Sequence, residues 1–329
     1  MDIRVVFQGG AIVSFALRAE ESLQKGIRRI ARKELEYVHA QVTRATNGSR
    51  DTAVHEARKS CKKLRALLRL VRPAINARTY QDENSALRDT ARPLTQVRDA
   101  KVLVETLDKL SQHFSKRVRG QPFASIRKAL LAYQREVRKY VLDEDQAFTR
   151  VETAVRDALA RLEGWATIPD RWSSVGHGVQ QVYRQARRAL AVATAEPTVE
   201  HFHEWRKQVK YLRYQLTILQ PIWPEIMEPL VDQAAHLGEL LGEDHDLAVL
   251  RQLLTDDPER FGGDEARELL FALLDHRRQE LEEEAIFLGQ RFFQDSPKVF
   301  ARRLKGYWTT WRDLRQQKDT HGAQGELHP

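Results

Sequence analysis

A single cysteine, Cys61, serves the whole 329-residue chain. No intrachain disulfide can form, which points to a reducing compartment and away from a stapled secreted scaffold. Long apolar runs are missing too: none approaches the ~20 residues that span a bilayer. AIVSFAL, residues 11–17, has only Arg4 before it and no clear cleavage site. The expectation is a soluble, cytoplasmic protein with no membrane partner. There is no glycine-rich phosphate loop and no GxSxG elbow, so the usual nucleotide-binding and serine-hydrolase designs are excluded. Aromatic residues are 8% of the chain, too few to suggest the stacking platforms of single-strand nucleic-acid binders.

Proline and glycine are also scarce, at 11 and 16 residues, and they gather at breaks. Between the breaks Ala, Leu, Arg, Glu and Gln recur at helical spacing. This predicts an all-α protein with helices over 18–45, 52–72, 78–92, 97–113, 122–141, 144–164, 173–194, 198–219, 225–241, 245–256, 264–292 and 297–316. Residues 2–10 read as extended or as a loose lead-in, and the polar segment 317–329 as a loose tail. EGWATIPDRWSS, 163–174, is the best candidate for an internal junction.

What the chain does have is a sentence written twice. HEARKSCKKLR (55–65) and HEWRKQVKYLR (203–213) share seven identities, with His203 standing 148 positions after His55. LRLVRP (68–73) answers LTILQP (216–221), each ending in a proline that stops a helix. PLTQVRDAKVL (93–103) answers LLGEDHDLAVL (240–250). A repeat this long is no solenoid unit. It predicts two pseudo-symmetric antiparallel helical bundles from an internal duplication, packed about a pseudo-two-fold axis. The division is a lead-in over 1–17, a first half over 18–164, a second over 165–316 and the tail from 317.

At 100° per residue, His55, Arg58, Lys59, Lys62, Arg65 and Arg69 fall within an arc of roughly 120°. Ala57, Cys61, Leu64, Leu68 and Val71 face the other way, which makes Cys61 a core residue. In the second copy His203, Arg206, Lys207, Lys210 and Arg213 form the stripe, joined by Tyr214. Trp205, Val209, Leu212, Leu216 and Leu219 form the core face. An ordinary solvated face mixes signs, because Glu–Lys pairs help a helix and like charges cost it a few tenths of a kcal/mol each. Neither stripe includes an acid, so an anion that binds there would relieve repulsion. Asp51 or Thr52, and Thr198, are expected N-caps that put the positive helix ends near each His. Arg28, Arg29, Arg32, Arg184, Arg187 and Arg188 on the preceding helices are further candidates, as are Arg98 and His245 in the third pair of matching segments.

The same residues admit other chemistry. HEARK and HEWRK each miss the zinc helix HExxH by one residue, with Lys59 or Lys207 where the second imidazole belongs. His55 and His203 could share a metal across the dyad, but no metal and no cofactor is expected. Asp99 and Asp246 read best as anchors for an Arg or Lys. The alternative is a Mg²⁺-dependent phosphohydrolase. The stripes repeat simple cations rather than base-reading side chains, so nucleic acid is a secondary partner. They suit a ligand whose charge repeats along its length.

These motifs, with VRDAKVL (97–103) and HDLAVL (245–250), resemble the CHAD family of histidine-containing α-helical domains over about residues 18–315. The resemblance implies an all-helical fold of two pseudo-symmetric bundles. It also implies a noncatalytic module that binds inorganic polyphosphate, in some bacteria at polyphosphate granules. The matching positions are His55, Arg58, Lys59, Lys62 and Arg65, then His203, Arg206, Lys207, Lys210 and Arg213. Arg69 is answered by Thr217 and Lys63 by Tyr211, so the two copies are unequal. The family's frequent CYTH partner is missing its ExExK signature here: Glu34 and Glu36 are followed by Val38.

Overall fold

The computed structural model describes residues 15–325, except 47, 119, 166, 262 and 263. Among the described residues every regular element is helical: α1 (Leu23–Thr43), α2 (Arg50–Val71), α3 (Ala77–Ala91), α4 (Thr95–His113), α5 (Ala124–Arg138), α6 (Ala147–Leu162), α7 (Ser173–Ala195), α8 (Val199–Leu219), α9 (Pro224–Asp256), α10 (Asp264–Phe292) and α11 (Pro297–Gly325). The extended reading of 2–10 lies outside the described residues.

Local chemistry sets several of the boundaries. Ser22, Asn76 and Thr198 cap α1, α3 and α8, each side-chain oxygen accepting an N–H three residues on. The expected caps of α2, Asp51 and Thr52, are instead inside its first turn, and Ser49 precedes the helix. Pro73 and Pro221 end α2 and α8 as expected, each within a short 3₁₀ turn. Two expected helices, 225–241 and 245–256, are one continuous α9, because nothing between them breaks the periodicity. The expected helix from 144 begins only at Ala147, after a π turn over Lys139–Glu144 and a left-handed Gln146 with φ 48°. α11 carries the backbone past residue 316 to Gly325, where a loose tail was expected.

α1 packs on α2 and α6, α3 on α2 and α6, and α4 on α5. Further along, α7 packs on α8 and α11, and α9 lies against both α8 and α10. The two groups meet where α2 touches α7 and α8, and where α4 touches α9. α2 is therefore walled on most sides. Toward its C-terminal end Ala66, Leu67, Leu68, Leu70 and Val71 are all buried, so no single oily face survives there. The crossing with α7 is close: a Cβ on Gly178 would stand 2.0 Å from the Leu70 carbonyl oxygen. The amide of Gln215 on α8 donates to the Ala66 carbonyl of α2 at 3.3 Å. The Leu17 N–H donates to Ile218 O at 3.0 Å, fastening the start of the described chain to the end of α8. No helix among the described residues is long and apolar enough to cross a membrane.

Candidate functional site

The sequence faces of α2 and α8 orient these helices much as their periodicity implies. Ala57, Cys61, Leu64, Leu68 and Val71 are buried, and so are Trp205, Val209, Leu212, Leu216 and Leu219. Because α2 lies on α8, the opposite rows converge. Lys62 feels the positive charge of Arg58, Arg206 and Arg98, and Lys210 that of Arg206, Lys62 and Arg98. α4 contributes Arg98 to this cluster and α9 contributes His245.

The counter-charges are few. Arg98 donates to Asp99 at 3.2 Å and to both carboxylate oxygens of Asp246 at 3.3 and 3.4 Å. Burial works against the Arg98 guanidinium, but Asp246 and Asp99 outweigh it and hold its pKa above the usual value. Arg206 is buried, and no partner reaches its Nε. It runs past Gly242 of α9, whose missing side chain leaves room 3.8 Å from that nitrogen. Burial, more than the nearby Arg98, lowers its pKa against the pull of Asp246. Arg58 donates to Thr95 Oγ1 and to the Ala91 carbonyl at 3.3 Å, while its Nε is also buried without a partner.

Lys62 and Lys210 make no ion pair or hydrogen bond among the described residues. Burial first, and then the neighbouring cations, push the Lys62 ammonium down to about 7. The same causes in the same order take Lys210 well below its usual value. His245 sits beside them, its Nδ1 3.2 Å from His203 Nδ1. Burial, then Arg206 and His203, push it down to about 3, so it is neutral at pH 7. An isolated protein gains little from gathering more cations than counter-charges in a partly dry seam. The arrangement is costly without a ligand and makes physical sense with an anion.

Farther along α2 the arginines are held rather than loose. Arg65 and Arg69 both donate to Asn84 Oδ1, at 3.1 and 2.9 Å, and Arg69 lies 4.0 Å over the Tyr211 ring. Neither Asn84 nor Tyr211 figured among the sequence candidates. The signal for Tyr211 was its place opposite Lys63, noted only as an inequality between the copies.

Several candidates lie elsewhere or are engaged. Lys59 pairs with Glu56 at 3.2 Å and Lys207 with Glu204, so the outer edge of each row carries an acid after all. Acid and lysine stand three apart, a helix-surface pair that the sequence could have revealed. The His55 side chain is 61% exposed, beside Glu56. His203 meets His245, not His55, and no cluster of three metal-ligating side chains occurs among the described residues. Arg28 donates to the carbonyls of Glu163 and Trp165, Arg32 pairs with Glu163, and Arg29 is engaged with Glu21. Arg28 and Arg32 hold α1 to the segment after α6, Arg29 holds it to the segment before it, and no described interaction joins the three to the cluster. Arg184, Arg187 and Arg188 line a separate groove between α7 and α10. The Arg213 side chain has no hydrogen-bond or ion-pair partner among the described residues. Tyr214 packs edge-on against Phe15, and burial raises its pKa.

The sequence profile of the CHAD domain matches residues 29–255. Among curated proteins none matches the chain. Among solved structures, the CHAD domain from the plant Ricinus communis is similar: 20% identical, with 82% of this chain and 94% of that one covered and a TM-score of 0.59. At that identity the likeness speaks for the fold alone.

Proposed function

The chain belongs to the CHAD domain family, and from that premise we propose that it binds inorganic polyphosphate along the seam where α2 meets α8. The observation that carries this reading is the pair Lys62 and Lys210, brought together with Arg206 and without an ion-pair partner among the described residues, the nearest acids, Asp99 and Asp246, being bound to Arg98. Polyphosphate presents a negative charge at every unit, so one strand can neutralise the whole row. Contacts from Arg and Lys to phosphate oxygens are charge-assisted and strong. A strand also offers no base edge, so the cations of the seam need meet only phosphate oxygens.

The repeated motifs on α2 and α8 support a further part of the proposal: the fold arose by duplication, giving two bundles that share this seam. Binding is noncatalytic in this reading. Asp99 and Asp246, the acids a Mg²⁺ would need, both face Arg98, whose guanidinium occupies the position of a cation. The protein would work in the cytoplasm, and a granule of polyphosphate would offer it many equivalent strands.

The test is a titration with long-chain polyphosphate at several salt concentrations. Binding should weaken steeply with salt, as it does for phosphate polymers in general. The double variant Arg206→Met/Lys210→Met should lose most of the affinity while keeping its helical circular dichroism. A fully folded double variant that binds like the parent rules out the seam. Excess RNA that displaces polyphosphate completely would favour a site that only counts charge.

A further inference from the structure

The groove between α7 and α10 has no role in the seam. It encloses about 790 Å³ and is lined by Arg184, Arg187 and Arg188 of α7, with Thr194, Gln290 and Gln294 among its other walls. Among the described residues no Asp or Glu lines it. The three arginines stand at i, i+3 and i+4, so their charges repel along one helix face. Most arginines elsewhere on this surface are matched with acids, as in Arg127 with Asp108, Arg251 with Asp275 and Arg156 with Glu152. Arg184 and Arg188 have no partner among the described residues. Arg187 donates its Nε to the Phe293 carbonyl at 3.0 Å, which anchors the guanidinium and leaves its two terminal nitrogens without protein partners. An anchored guanidinium fork is suited to two oxygens of one phosphate.

Arg188 also lines a second depression, with Gln185, His201, Glu204 and Gln208. Glu204 is the partner of Lys207, at the outer edge of the α8 row. A surface path therefore joins the groove to the seam, crossing one acid that is already neutralised.

We propose that the α7/α10 groove is a second phosphate-binding site, occupied by the same polyanion strand after it leaves the seam, so that the protein favours long chains. This rests on the reading of the seam given above. A short anion fills the seam alone, whereas a long strand reaches both places and gains from the tether, since a second tethered contact raises affinity without new chemistry.

The experiment compares tripolyphosphate and long-chain polyphosphate against the parent, Arg184→Ala/Arg187→Ala/Arg188→Ala and Arg206→Met/Lys210→Met. The triple variant should bind tripolyphosphate like the parent but long chains about tenfold or more weakly. Its slope of log affinity against log salt for long chains should be shallower by roughly 2, the share of three released counterions. The seam variant should lose both ligands. Equal long-chain affinity and an unchanged slope in the triple variant would overturn the groove while leaving the seam intact. Loss of tripolyphosphate and long chains alike in the triple variant would also overturn it, by showing one undivided site. Failure of the parent to bind either ligand would remove the seam reading, and the groove with it.

Discussion

Lys62 offers a sharp test, because the seam should work against the stability of the free protein. Its pKa falls from a usual 10.5 to about 7. At about 1.4 kcal/mol per pH unit, the surroundings disfavour the charged form by roughly 5 kcal/mol. Part of the side chain reaches solvent, and charges in partly exposed settings are screened, so about 1–3 kcal/mol is the effect to expect in solution. The sign follows from the depressed pKa of a base. Below about pH 7 the lysine is charged in both folded and unfolded chains, and the full cost is present. As pH rises from about 7 toward 10.5, the folded protein carries a neutral amine while the unfolded chain still binds the proton, and the cost fades. Lys62→Met should therefore raise the urea unfolding free energy at pH 7 by about 1–3 kcal/mol, with the advantage shrinking toward pH 10. The same change should weaken polyphosphate binding by about ten- to a hundredfold, the loss of one charged hydrogen-bonding partner. In the parent, binding at pH 8 should draw protons from solution, visible as a dependence of calorimetric heat on buffer ionisation enthalpy. A variant less stable than the parent at pH 7, or one that binds equally well, would refute the view that this lysine is held in reserve for an anion.

Three other outcomes follow from the geometry. His245, pushed down to about 3, should show no imidazole titration by NMR between pH 5 and 8 in the free protein; bound polyphosphate should bring one into that range. Its contribution to stability is lost as pH falls from 6.5, where the unfolded chain begins to take the proton first. Gly178→Ala should cost about 2 kcal/mol or more in unfolding free energy, because its new methyl meets backbone atoms of α2 that cannot step aside. Cys61, buried and with its thiol pushed up to about 12, should resist a thiol reagent in the folded protein and react fully in denaturant.

The periodicity of α2 and α8 was enough to place Cys61, Trp205 and Leu216 in the core and Lys62 and Lys210 each on the basic row of its own helix. It works because a helix fixes direction within one element. It cannot say what lies across the gap, and so Asn84, Tyr211 and Gly242 went unseen: each matters only through a residue distant in sequence. The same limit explains Arg28 and Arg32, whose spacing resembles that of a ligand row but whose partners lie after α6. Arg98 shows the opposite case. Asp99 and Asp246 read as anchors for a cation, and both hold this arginine. Lys59 and Lys207 pair with Glu56 and Glu204, which the wheel puts outside the arc, because flexible side chains reach back into it.

The enclosure of the last turns of α2 has a consequence for how such a protein can evolve. Leu67, Leu70 and Val71 are covered partly by helices that precede the 163–174 junction and partly by helices that follow it. A gene carrying only the earlier helices would leave that end of α2 half-covered, and Gly178 shows how tightly the later chain closes over it. Whatever the ancestry of the two similar segments, the burial of this end of α2 now draws on both, and a half moved to another protein would carry an uncovered apolar surface with it.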